Sequence, residues 1–156
     1  MRSDIKIVQQ VRADEVADLQ VAYQDMGVSA EISPFFDDMP KLWRDAHLVL
    51  CRAGGSTIAE ASATGRPAIF IPLPSAVDDH QTANAKAVVD NGGGWLMPQN
   101  DLDAKTLGDK ITSLLTQPDQ LLAAAKAARE IAQPNAANKI ADALIDIATK
   151  QKRNAT

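Results

Sequence analysis

The sequence predicts an α/β fold: a Rossmann-like open parallel sheet of about five strands, followed by a helical C-terminal tail. Three observations carry that prediction. Short β-rich runs alternate with longer helical patterns from residue 5 to residue 98. The runs "HLVL" and "AIFI" are apolar throughout, as strands covered on both faces are. From residue 103 onward the pattern is helical alone. Strand–helix alternation implies parallel strands joined by right-handed crossovers.

Each element has its own signal. "IKIVQQV" (5–11) is the first strand, and "ADEVADLQVAYQDMG" (13–27) is the first helix, with an apolar stripe of Val16, Leu19, Val21 and Tyr23 and a stop at Gly27. "SAEISPF" (29–35) is a strand, and "DDMPKLWRDA" (37–46) is a short helix in which Pro40 fits only the first turn. "HLVLC" (47–51), "PAIFIP" (67–72) and "GGWLMP" (93–98) are the remaining strands. "STIAEASATG" (56–65) and "HQTANAKAVVDNG" (80–92) are the helices between them. Pro118 and Pro134 divide the tail, 103–151, into about three helices, each proline suiting an N-terminal turn. Trp43 and Trp95 read as packing residues, and His47 as the start of a strand.

Composition bounds the function. A chain of 156 residues suits one domain, 1–156, with a real core, and no interdomain linker or repeat interrupts it. The net charge of −4 argues against nucleic acid as a partner. The one cysteine, Cys51, has no internal disulfide partner, which fits a reducing, cytoplasmic setting. No apolar run reaches the length of a membrane span, and "MRSDIKIVQQ" lacks a signal-peptide pattern. Attachment to a membrane surface stays open. A nucleotide-binding sheet usually begins with a strand and a glycine-rich turn. Here the first strand runs into "RADE" without a glycine, so the first strand–loop–helix unit of such a sheet is expected to be missing.

The chemistry gathers at two junctions. In "CRAGGSTIAE" (51–60) a strand hands over to a helix through two glycines and two hydroxyl residues. Ligands of an open parallel sheet bind beyond the C-terminal ends of its strands. Glycine lets the backbone approach a ligand and adopt positive φ. A helix start offers free N–H groups and the positive dipole end to an anion. Ser56 and Thr57 add hydroxyls, and Arg52 adds charge. The same residues also read as a plain turn, with Thr57 as N-cap and Glu60 closing a capping box. In "PLPSAVDDHQTANA" (72–85), Asp78, Asp79, His80, Gln81 and Asn84 offer donors and acceptors suited to sugar hydroxyls. The alternative is Asp78 as N-cap with Gln81 in a D-x-x-Q box. No second histidine stands at ligand spacing for a metal, and Ser56 lies in no G-x-S-x-G elbow. Cys51 reads as a buried strand-end residue rather than a nucleophile.

Together "VQQVR", "PFFDDMPKLWRDAHLVLCRAGGSTIAEASATGRPAIFIPLP" and "DDHQTANAKAVVDNGGGWLMPQNDL" resemble the C-terminal domain of the MurG family, glycosyltransferase family 28. The resemblance covers nearly the whole chain. It implies the donor half of a two-domain GT-B enzyme, an inverting transferase that moves N-acetylglucosamine from UDP-N-acetylglucosamine to lipid I, giving lipid II for peptidoglycan synthesis. By the same resemblance the backbone at Phe36 reads uracil. Gly55, Ser56 and Thr57 meet the diphosphate, Glu60 accepts from the ribose hydroxyls, and His80 and Gln81 contact N-acetylglucosamine. Some members have glutamine where this chain has His80. Arg52 supplies supporting charge.

No cofactor or metal is implied, and no catalytic base: that group belongs to the absent acceptor domain. The chain alone is therefore expected to be inactive, and the full enzyme to sit on the cytoplasmic face of the inner membrane. A separate donor-binding subunit of a split enzyme, paired with an acceptor-domain chain, is one alternative. A non-catalytic nucleotide- or partner-binding domain is another.

Overall fold

The computed structural model describes residues 5–75 and 79–154. The chain divides into two compact units, Met1–Asp45 and Ala46–Thr156. No composition shift marks that boundary, which falls in the turn between a helix and a strand. All five expected strands form and all pair in parallel. They hydrogen-bond as a two-stranded sheet, β1–β2, and a three-stranded sheet, β3–β4–β5. Each strand is shorter than its apolar run. Proline lacks the N–H that a ladder needs, and Pro34, Pro67, Pro72 and Pro98 stand at or just beyond strand ends.

In the first unit β1 (Lys6–Gln10) pairs with β2 (Ser29–Ser33), Lys6 opposite Ser29. A 3-10 turn at Ala13–Glu15 leads into α1 (Val16–Asp25). Its inward face is Val16, Leu19, Ala22 and Tyr23. The expected stripe included Val21, which instead is 57% exposed: at 100° per residue, position 21 cannot share a face with 19 and 23. The Tyr23 hydroxyl donates to Gln9 Oε1 at 2.7 Å, tying α1 to β1. The helix stops at Gly27 as expected. Val28 N–H donates to Tyr23 O and Gly27 N–H to Gln24 O, both at 2.9 Å, the bonding of a Schellman turn. Helix α2 (Met39–Asp45) holds Pro40 in its first turn and buries Trp43.

In the second unit β3 (Val49–Cys51), β4 (Ala68–Phe70) and β5 (Gly94–Leu96) form the sheet, with β4 at its centre. Ala68, Ile69 and Phe70 are fully buried, which is why this run carries no polar alternation. Helices α3 (Gly55–Thr64) and α4 (His80–Val89) are the crossovers. The tail forms α5 (Ala104–Leu115), α6 (Pro118–Glu130) and α7 (Ala136–Asn154). Pro118 is the first residue of α6, whereas Pro134 precedes α7 rather than entering its first turn. His47 lies in a bend before β3 and not in the strand.

The α3 helix ends at Gly65, in the left-handed region at φ 61. A Cβ there would lie 3.2 Å from Arg129 Cβ and 3.3 Å from the Ala125 carbonyl oxygen of α6. Glycine is thus required twice at 65, by conformation and by the packing of α3 on α6.

Candidate phosphate-facing site

The parallel strands β3 and β4 end at Cys51 and Phe70 on the same edge of their sheet. The last ladder bond runs from Ile71 N–H to Cys51 O at 2.8 Å. Beyond it the segments 52–54 and 71–75 leave side by side, the first leading directly into α3. Helix α3 begins immediately: Gly54 is its N-cap, with φ −64 and ψ 153, and Gly54 O accepts the first intrahelical bond from Ile58 N–H at 3.0 Å. The N–H groups of Gly55, Ser56 and Thr57 therefore precede the helical ladder. No side chain caps them from position 54.

This geometry removes one sequence alternative. Thr57 is the third residue of α3 and not its N-cap, and Glu60 lies a turn further on, so the T-x-x-E capping box does not form. It also corrects the expectation of positive φ at the glycines: among the described residues the positive-φ glycines are Gly27, Gly65 and Gly92. A Cβ at Gly55 would meet no atom within 4 Å beyond its chain neighbours and its own helix backbone. Neither backbone conformation nor crowding within the protein calls for glycine at 55. What glycine provides there is bare backbone facing outward.

Two side chains join the loops to each other, and a third ties the first loop to α4. Arg52 Nη1 donates to Ile71 O at 3.2 Å and Pro72 O at 3.3 Å. Gln81 Oε1 accepts from Ala53 N–H at 3.3 Å and Leu73 N–H at 3.0 Å. Asn84 Nδ2 donates to Ala53 O at 3.0 Å. Ala53 is fully buried, and both polar groups of its residue are thereby satisfied, as buried backbone requires. Gln81 is thus engaged through its oxygen. Asn84 was legible in the sequence only as one polar residue among several. Its spacing of three from Gln81, which puts both on one helix face, was the available signal.

The remaining expected residues fall as follows. Ser56, Glu60 and His80 are exposed, Thr57 is half-buried, and His80 opens α4. Asp78 lies outside the described residues. The N-cap of α4 is Asp79, left-handed at φ 49 and with no side-chain cap bond, so the D-x-x-Q box is not what starts this helix. Phe36 is half-buried in the β2–α2 loop of the first unit. Cys51 ends β3; burial pushes its thiol up, and the Glu60 carboxylate adds to this, to about 12. Such a thiol stays protonated and is no nucleophile. An open cleft of about 400 Å³ lies beside Arg52, lined also by Leu50, Cys51, Ile71, Gln99 and Leu102. Its walls are mostly apolar. Among the described residues no helix is long and apolar enough to cross a membrane.

Parallel strands joined by helices, with a glycine-led helix start beyond the strand ends, define an open α/β fold, a class whose ligands bind at that edge. The chain belongs to the glycosyltransferase family 28 C-terminal domain family, whose profile matches residues 1–144. It is 45% identical over 141 residues to a Rhodospirillum rubrum protein named UDP-N-acetylglucosamine–N-acetylmuramyl-(pentapeptide) pyrophosphoryl-undecaprenol N-acetylglucosamine transferase, covering 90% of this chain and 36% of that one. A Rhodospirillum centenum protein of the same name is 45% identical over 148 residues, covering 95% of this chain and 39% of that one. The crystal structure of Acinetobacter baumannii MurG superposes with a TM-score of 0.85 and 36% identity, over 90% of this chain and 43% of that one. The chain thus spans about two fifths of the length of the relatives it matches.

Proposed function

We propose that this chain is the donor-binding half of an inverting N-acetylglucosaminyltransferase that takes UDP-N-acetylglucosamine and glycosylates lipid I to give lipid II. The observation that carries the reading is the start of α3, where bare backbone at Gly55 sits on a helix N-terminus held in place by Arg52, Gln81 and Asn84. The names of the relatives supply the substrates.

In this reading Gly55, Ser56 and Thr57 bind the diphosphate, Glu60 the ribose, and His80 with the Gln81 amide NH₂ the sugar. The acceptor hydroxyl attacks the anomeric carbon as the bond to the diphosphate breaks. The electron pair of that bond leaves with uridine diphosphate. The dipole and N–H groups of α3 stabilise the charge arriving there, so this half calls on no metal or other cofactor for that task. The hydroxyl proton goes to a base supplied outside this chain, by an acceptor-binding part corresponding to the relatives' additional length. A lipid-linked acceptor places the reaction at the cytoplasmic membrane surface.

Calorimetric titration with uridine, uridine diphosphate and UDP-N-acetylglucosamine tests the reading. It expects diphosphate to add most of the affinity. Absence of binding by all three would refute it and leave a structural module.

A further inference from the structure

The glycine-rich turn cannot hold itself. Gly54 and Gly55 have no side chains to pack, and the β ladder has already ended at Cys51. The peptide groups that aim α3 are those of the preceding residue, Ala53. They are gripped from one face of α4: Gln81 Oε1 takes the N–H and Asn84 Nδ2 gives to the carbonyl. Gln81 Oε1 also takes Leu73 N–H, so the grip extends to the neighbouring loop. Both partners of Gln81 Oε1 are N–H donors and the partner of Asn84 is a carbonyl, which fixes the orientation of both amides. Both side chains are half-buried, so these bonds are partly sheltered from competing water.

We propose that Asn84, together with Gln81, is a positioning residue for the donor diphosphate: it sets the direction of the α3 N-terminus through the Ala53 peptide, without touching the nucleotide. The inference rests on the reading of α3 as the diphosphate site. A binding constellation is as accurate as the shell that supports it. Loss of the Asn84 donor leaves the buried Ala53 carbonyl without that partner and lets the turn drift. The helix that carries Asn84 does not suffer, since alanine is the better helix former.

The test measures affinities for uridine, uridine diphosphate and UDP-N-acetylglucosamine in the parent chain, Asn84→Ala and Asn84→Ser, with thermal melting alongside. Asn84→Ala is expected to weaken uridine diphosphate and UDP-N-acetylglucosamine by the same factor, about tenfold, and uridine by less than about twofold. Asn84→Ser, which keeps a short donor, is expected to recover part of the loss, and it is the variant read if Asn84→Ala fails to fold. A loss seen with UDP-N-acetylglucosamine alone would make Asn84 a sugar contact and overturn the proposal. So would a lower melting temperature with all three affinities unchanged, which would make the grip purely structural. No binding by the parent chain would instead remove the diphosphate site itself, and the positioning role with it.

Discussion

Glu60, on the exposed side of α3, lies within electrostatic reach of Cys51 at the end of β3: burial raises the Cys51 thiol and the Glu60 carboxylate raises it further, to about 12. Replacing Glu60 by glutamine removes a negative charge that opposes the thiolate. Glu60→Gln is therefore expected to lower the Cys51 pKa and speed its alkylation at alkaline pH. The linkage has a definite sign. The folded pKa lies above the ordinary value of 9.0, so the protonated thiol's contribution to stability is complete below about 9 and is lost as pH rises towards about 12. Alkylation rate against pH, compared in parent and Glu60→Gln, reads this directly. An unchanged profile would mean that burial alone sets the thiol.

The same residue carries a functional prediction. Glu60 is not the capping-box partner of Thr57, because α3 starts at Gly55. Glu60→Ala is expected to weaken uridine diphosphate by about 1–3 kcal/mol, as ribose hydroxyls lose their acceptor, with melting essentially unchanged. Calorimetry and melting on one preparation separate the two readouts. Lost stability with unaltered affinity would return Glu60 to a structural role.

Gly65 and Gly55 should respond in opposite ways to alanine. At 65 the left-handed φ and the contact with Arg129 make any Cβ costly, and Gly65→Ala is expected to lose at least about 1–2 kcal/mol in denaturant unfolding. At 55 the space is open and φ is not positive. Gly55→Ala should melt at or slightly above the parent temperature. Gly55→Val should still fold while losing diphosphate affinity, with uridine affinity retained.

Asp103 caps α5, accepting Thr106 N–H at 2.6 Å while Thr106 Oγ1 accepts Asp103 N–H at 3.0 Å. The backbone bond from Thr106, and then the side-chain one, hold its carboxyl below the usual range. A depressed folded pKa means the stabilisation is present above the unfolded value and falls away as pH drops through the folded one. Asp103→Asn, which keeps an accepting oxygen, is expected to flatten that acidic stability loss. Urea midpoints of parent and variant between neutral and acidic pH check it.

Much of this was written locally. The apolar run at Ala68–Phe70 announced a strand covered on both faces, and the stop at Gly27 and start at Pro118 were visible as glycine and proline. The boundaries were less legible where prolines cut apolar runs short, as at Pro34 and Pro98. The pairing of strands into two sheets depends on long-range contacts that no run announces. At the site, residue types marked a junction at which capping and ligand binding were rival readings, and the start of α3 at Gly55 removes only the Thr57 capping box. The grip on Ala53 was hidden for another reason: it acts on backbone groups, and an alanine gives no sign that its peptide is fully buried and held from α4.

The central claim is that the α3 N-terminus receives a diphosphate. Amide-resolved NMR titration of the chain with uridine diphosphate tests it most directly. The N–H signals of Gly55, Ser56 and Thr57 should shift strongly with uridine diphosphate and little with uridine, because those groups precede the first intrahelical bond at Ile58. Shifts confined to the cleft of Leu50, Gln99 and Leu102, with the three amides unmoved, would contradict the account.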